Sequence, residues 1–200
     1  MFDPQVMLDM AEHGMFVVQT YGSTETCGDG IINYAQDAKH IGAVGQGNDY
    51  LDNKIAEDGE LCMRGDPIML GYYKDPEGPA EDIAAAGWYP TGDLARKDEG
   101  GDYFLTGRKK NLIILDSGEN ISPEELEGIV GKCEAVKECV VKEMGKKIGV
   151  VVYCDEDKQQ QVRDFITEAN RTLPLYKRMS AVEFSTEPLP RNGAGKLLRQ

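Results

Sequence analysis

Apolar positions recur along this chain with two different periods. Met7, Met10 and Ala11 share one face of a helix that Asp3 would cap, with Pro4 at the first helical position and Gly14 at its end. Phe16-Val17-Val18-Gln19 is a short apolar run predicted as a buried strand, leading into Tyr21-Gly22-Ser23-Thr24-Glu25. From residue 41 to about Gly107 the pattern is short strands over 49–55, 60–64 and 103–105. Glu57-Asp58-Gly59 and Asp98-Glu99-Gly100-Gly101-Asp102 punctuate them as hairpin-type turns. One short helix is predicted near residues 80–86, so this half is mostly β.

After Gly107 the character changes. Residues 112–115 predict a short strand, and Ser122-Pro123-Glu124-Glu125 has the spacing of a capping box with proline at the first helical position. Leu126, Ile129, Val130 and Cys133 then repeat at helical spacing. Residues 136–142 and 148–154 flank Gly145 as a hairpin, and Val162, Phe165, Ile166, Ala169 and Leu173 form the stripe of a second helix that Pro174 stops. Residues 181–184 supply a last strand. The prediction is a mostly-β module over 1–107 and an α+β module over 108–200, strands with two helices on one face.

Charge narrows the functions available. Thirty-five acidic residues against 22 basic ones leave a formal charge of −13, which repels phosphate backbones and anionic lipid, so nucleic acid is not an expected partner. The longest apolar run, Val150 to Cys154, is five residues. A spanning helix needs about 20, so no transmembrane segment is expected. Five cysteines at 27, 62, 133, 139 and 154 have neither metal-ligand nor C-x-x-C spacing, and read as reduced thiols of a cytoplasmic protein.

Four segments carry candidate chemistry. In Tyr21-Gly22-Ser23-Thr24-Glu25, Thr24 can bond a phosphate oxygen and Glu25 is a hard oxygen ligand suited to Mg²⁺; a turn with capping hydroxyls is the alternative. In Gly87-Trp88-Tyr89-Pro90-Thr91-Gly92-Asp93-Leu94, Asp93 can accept two hydrogen bonds from a ribose diol, or simply sit in a turn. Arg108-Lys109-Lys110 places three cations at the seam between modules, where such a run is otherwise a solvated face. Pro190-Arg191-Asn192-Gly193-Ala194-Gly195-Lys196 is a glycine loop presenting a lysine that can reach a phosphate. It lacks Walker spacing, and a frayed tail is its alternative.

Taken in order, these segments resemble the C-terminal portion of adenylate-forming (AMP-binding) enzymes, the superfamily of acyl-CoA synthetases, luciferases and peptide-synthetase adenylation domains. The matching stretches are YGSTE, GELCMRG with PIMLGYYKDPE, GWYPTGDL, GRKKNLIILDSGENISPEELE and LPRNGAGKLLR. They run from Tyr21 to Arg199, and the SGENISPEELE form looks closest to acyl-CoA ligases. The fold implied is the mostly-β tail of a large AMP-binding domain followed by a small mobile α+β lid.

The resemblance implies a two-step reaction. A carboxylic acid, expected to be a fatty acid, attacks the α-phosphate of ATP to give an acyl-adenylate, and the thiol of CoA or a carrier protein then displaces AMP. Tyr21, with Gly22 beside it, is implied to stack on adenine, Thr24 and Glu25 to meet phosphate and Mg²⁺, and Asp93 and Arg108 to hold the ribose. Lys110 is the implied hinge, Lys196 bridges the α-phosphate and the acyl carboxylate, and the loop of Gly118 and Glu119 swings in for thioester formation. The family's glycine- and hydroxyl-rich phosphate loop belongs upstream of Tyr21 and is not in this sequence. These 200 residues are therefore expected to be inactive alone and to need the N-terminal portion. A non-catalytic AMP-binding module, or one half of a split ligase completed in trans, are the alternatives.

Overall fold

The computed structural model describes residues 4–35, 40–74, 87–193 and 195–199. The chain divides into two compact units, Met1–Lys109 and Lys110–Gln200. The division falls two residues beyond the expected seam because Arg108 and Lys109 are bonded to acidic residues of the first unit. The expected helix near 80–86 and the Asp3 cap lie outside the described residues.

In the first unit, the helix Pro4–Glu12 turns its Met7 inward, 2% exposed. Strands β1 (Gln19–Gly22) and β2 (Gly30–Asn33) form an antiparallel pair. Strands β3 (Leu51–Ile55), β4 (Glu60–Gly65), β5 (Tyr89–Lys97) and β6 (Tyr103–Arg108) follow as an antiparallel meander in chain order. Ile31, Val44, Leu51, Leu61, Met63, Ala95 and Tyr103 make its core. Between β2 and β3 side-chain amides tie the connection down: Asn48 Nδ2 donates to the Gly30 carbonyl at 2.7 Å and Gln46 Nε2 to that of Gly100 at 3.1 Å.

One expectation fails here. Phe16-Val17-Val18 is not a buried strand: β1 begins at Gln19, whose partner Asn33 is the last residue of β2, and Phe16 is 69% exposed. A strand lasts only as far as a neighbour takes up its backbone hydrogen bonds.

The second unit begins with a small hairpin, β7 (Ile113–Ile114) and β8 (Asn120–Ile121), then the helix Pro123–Val130. Strands β9 (Glu138–Met144) and β10 (Lys147–Tyr153) pair antiparallel, the helix Gln159–Thr172 crosses over, and β11 (Ala181–Ser185) returns parallel to β10. Leu126, Val130, Val141, Val150, Val152, Val162 and Ile166 join both helices and the sheet in one core. Ser122 is the N-cap residue but makes no capping bond through its side chain. Its hydroxyl donates to Glu124 Oε2 at 3.0 Å, while Glu125 pairs with Lys177. Glu124 is held by Asn111 and Arg199, and that network draws the hydroxyl away from the helix backbone.

All five cysteines are free, and burial pushes the Cys139 thiol up to about 12. Among the described residues no helix is long and apolar enough to cross a membrane.

Leu126 has no exposed surface and sits at the centre of the second core. Leu126→Ala is expected to destabilise that unit by about 2–5 kcal/mol through lost burial and a cavity. Urea unfolding followed by circular dichroism checks this; a change below about 1 kcal/mol would show that the side chain is not central.

Candidate functional site

The candidate site of the first unit is built on an irregularity in β5. Pairing between β4 and β5 jumps from Cys62↔Pro90 to Glu60↔Leu94, so Thr91-Gly92-Asp93 faces the single residue Leu61. Such a bulge re-aims a side chain and leaves backbone groups without ladder partners. Side chains supply them. Thr91 Oγ1 donates to the Leu61 carbonyl at 2.8 Å and accepts from the Asp93 amide at 3.1 Å, and Gly92 N–H donates to Glu60 Oε1 at 2.8 Å.

Asp93 is thereby held in a strand and not in a simple turn. Its side chain is 11% exposed, with Oδ1 2.6 Å from Arg108 Nε and Oδ2 accepting from the Tyr21 hydroxyl at 2.7 Å. Arg108 is also its register partner across β5 and β6. Burial pushes the Tyr21 phenol well above its ordinary range, and the Asp93 carboxylate adds to that, so the hydroxyl stays a donor. Each carboxylate oxygen has two lone pairs and spends one here, which leaves acceptor capacity for a vicinal diol.

Beyond Tyr21 the chain passes through a crowded glycine. A Cβ on Gly22 would lie 2.8 Å from the Asp29 carbonyl oxygen and 2.9 Å from that of Gly28, so no other residue fits. Thr24–Thr26 then make one 3₁₀ turn, with Thr24 exposed. Glu25 accepts from the Tyr72 hydroxyl, which holds its carboxyl below the usual glutamate range, and its carbonyl accepts from the Met69 amide at 2.8 Å. Among the described residues no three His, Cys, Asp or Glu side chains gather as a metal site. A lone carboxylate still suits Mg²⁺, which commonly takes one or two carboxylates together with substrate phosphates. A hollow of about 410 Å³ opens beside Tyr21, walled by Met7, Val18, Thr20 and Leu105.

The run of three cations separates. Arg108 pairs with Asp93, and Lys109 Nζ lies 2.7 Å from both Asp58 Oδ2 and Glu60 Oε2. Lys110 is exposed and opens the second unit.

In that unit the lysine segment is latched and not frayed. Asn192 N–H donates to the Lys196 carbonyl and Asn192 Oδ1 accepts from the Lys196 amide, both at 2.9 Å. Ahead of the loop, Glu138 accepts from Arg191 Nη2 at 2.6 Å and from the Leu189 amide at 2.7 Å. After it, Arg199 Nη2 reaches Glu127 at 2.7 Å and Glu124 at 3.2 Å. Lys196 is exposed between these two anchors. Gly118 lies at the tip of the β7–β8 hairpin with φ +93 and open space where a Cβ would project, so backbone conformation and not crowding selects glycine there. Its neighbour Glu119 accepts from the Ser117 hydroxyl.

The structure thus gathers Tyr21, Asp93 and Arg108 into one cluster, with Gly22, Thr24 and Glu25 following directly on β1. Lys110, Gly118, Glu119 and Lys196 belong to the second unit. Glu60 and Tyr72 were not singled out from the sequence, and Thr91 and Lys109 stood in candidate segments without a role of their own. Their roles arise from the bulge and from pairing across distant segments, which no local spacing announces.

No protein-family model matches the chain. It is 32% identical over 202 residues to a long-chain-fatty-acid–CoA ligase of Yersinia pestis, covering 94% of this chain and 35% of the relative. A 2-succinylbenzoate–CoA ligase of Listeria monocytogenes is 33% identical, covering 92% and 39% respectively. An O-succinylbenzoate coenzyme A synthetase from Bacillus subtilis, solved with ATP and magnesium ion, superposes with a TM-score of 0.81 at 28% identity, over 98% of this chain and 43% of that one. The same enzyme solved with its acyl-adenylate intermediate gives 0.83. The chain spans about a third of the length of the curated relatives it matches.

The latch carries a pH dependence. Arg191, followed by the Leu189 amide, holds Glu138 below its ordinary value; burial pulls Glu124 up, but the Asn111 amide and Arg199 outweigh it. A depressed folded value means the contribution is fully present above the unfolded pKa of about 4.3 and is lost as pH falls through the lower folded value. The amide resonance of Leu189 should therefore move only below the ordinary glutamate range in an NMR titration. Movement centred at or above that range would show that Glu138 is not engaged.

Proposed function

Related in sequence and fold to the C-terminal portion of adenylate-forming CoA ligases, this chain, we propose, carries the ribose-binding edge and the lid of an ATP-dependent acid–thiol ligase. The observation that carries the proposal is the buried Asp93 carboxylate, fixed by Tyr21 and Arg108 with an acceptor lone pair left on each oxygen. A ribose diol donates two hydrogen bonds at the spacing of a carboxylate, and Arg108 beside it favours a phosphate-bearing ligand.

On this proposal, Tyr21 and Gly22 flank the adenine, Thr24 meets a phosphate oxygen and Glu25 takes Mg²⁺ together with the phosphates. Lys196 serves the adenylation step, in which a carboxylate attacks a phosphate and two anions must approach each other. A lysine ammonium placed there stabilises the charge that gathers in the transition state. Its latched loop supports that role, since a group that positions two reactants has to be held in register itself. Lys110 is the hinge about which the lid turns, and Gly118 with Glu119 forms the edge along which the acceptor thiol of CoA passes. The acid is a fatty or aryl carboxylate. The relatives that support this span both kinds, one acting on long-chain fatty acids and another on 2-succinylbenzoate.

Two measurements test it. AMP should bind the 200-residue chain, detected by calorimetry, and Asp93→Ala should abolish the binding. The same chain should show no ATP–pyrophosphate exchange, because the grip on the outer phosphates lies in sequence it does not contain.

Joined behind the upstream portion of a curated relative, it should restore exchange. There Lys196→Ala should depress adenylate formation by roughly 10²–10³-fold while sparing thioester formation from supplied acyl-adenylate. Equal losses in both half-reactions would remove Lys196 from the proposed role.

A further inference from the structure

Glu60 does two things at once. It stands at the start of β4 with its side chain 9% exposed. One oxygen, Oε1, accepts the Gly92 N–H at 2.8 Å and replaces the ladder partner that the β5 bulge removed. The other, Oε2, lies 2.7 Å from Lys109 Nζ. We propose that Glu60 is a positioning residue that couples the ribose-binding turn Thr91-Gly92-Asp93 to Lys109, the residue immediately before the hinge. The inference rests on the assignments of Asp93 to the ribose and Lys110 to the hinge.

The coupling is electrostatic in origin. A carboxylate this far from water is tolerated because a countercharge meets it, and removing one partner of such a pair leaves an uncompensated buried charge. Glu60 would then turn toward solvent, and the Gly92 N–H would lose its acceptor inside the bulge. Gly92 is adjacent to Asp93, so the carboxylate offered to the ribose would lose its support from below. Lys109 is likewise bound from the other side: Asp58 and then Glu60 hold its ammonium above the ordinary lysine range. The ribose-binding turn and the last residue of the first unit are thus linked through one side chain.

The prediction is specific to charge and can be separated from simple loosening of the sheet. Lys109→Met keeps the alkyl stem and removes the ammonium. It should speed hydrogen exchange at the Gly92 amide by about ten-fold or more, while the amide of buried Met63 on the same strand as Glu60 stays unchanged. Adding Glu60→Gln to that variant removes the unpaired charge but keeps an oxygen for Gly92, and should return its protection to within about three-fold of the unsubstituted chain.

A Gly92 amide indifferent to Lys109→Met overturns the coupling, as does a Met63 amide that accelerates in parallel. Failure of the double variant to restore protection overturns it as well, since the loss would not then stem from charge. AMP titration of the same three proteins separates this inference from the proposal beneath it. Affinity should fall in Lys109→Met and recover in the double variant. AMP binding that ignores a deprotected Gly92 overturns the link to the ribose site. Absence of AMP binding in the unsubstituted chain, with Gly92 and Lys109 still coupled, overturns the ribose assignment and leaves the Glu60 bridge standing.

Discussion

A carboxylate taken almost wholly out of water must be met by donors and a countercharge, and Asp93 is met by both. The Tyr21 hydroxyl comes from the end of β1 and the Arg108 guanidinium from the end of β6, so a single side chain fastens the edges of two separate sheets. The rest of the first unit's site follows from the need to aim that carboxylate. The bulge in β5 turns it toward Tyr21, and the backbone groups the bulge leaves over are taken by Thr91 and Glu60. Glu60 then needs Lys109 for the same reason that Asp93 needs Arg108.

The second unit applies the same principle to a chain segment. Nothing in residues 190–196 is apolar enough to dock the glycine loop by burial alone. The loop is fixed by Glu138 gripping Arg191 and Leu189 before it and by Glu127 and Glu124 gripping Arg199 after it. In a chain of net charge −13, acidic residues are plentiful enough to supply these anchors, and several of the basic residues closest to the candidate chemistry are engaged by them. Lys110 and Lys196 stand exposed, and these are the two lysines to which hinge motion and charge stabilisation are assigned.

The failures of sequence reasoning fall where local pattern and long-range pairing compete. Phe16-Val17-Val18 has the composition of a buried strand, yet a strand is defined by its neighbour, and the pairing with β2 reaches no further than Gln19. Ser122 has the spacing of a capping box, yet Glu124 is one residue nearer and already organised by Asn111 and by an arginine 75 positions away in sequence. In both cases the local rule is sound and a partner remote in the chain outweighs it.

What the sequence determined by itself was the set of elements and the chemistry on offer. Helical spacing placed Leu126, Val130, Val162 and Ile166 in a core, alternation and turns marked most strands, and five ordered motifs pointed to a nucleotide-handling lineage. These signals are local, because periodicity and turn preference are properties of neighbouring residues. Tertiary structure alone decided which acid meets which base. That Asp93 is buried between Tyr21 and Arg108, that Glu60 spans Gly92 and Lys109, and that the Lys196 loop is latched at both ends depend on a bulge register and on ion pairs between distant segments. Their energy exists only once folding has brought these distant groups together and taken the carboxylates largely out of water, so no reading of adjacent residues could contain it.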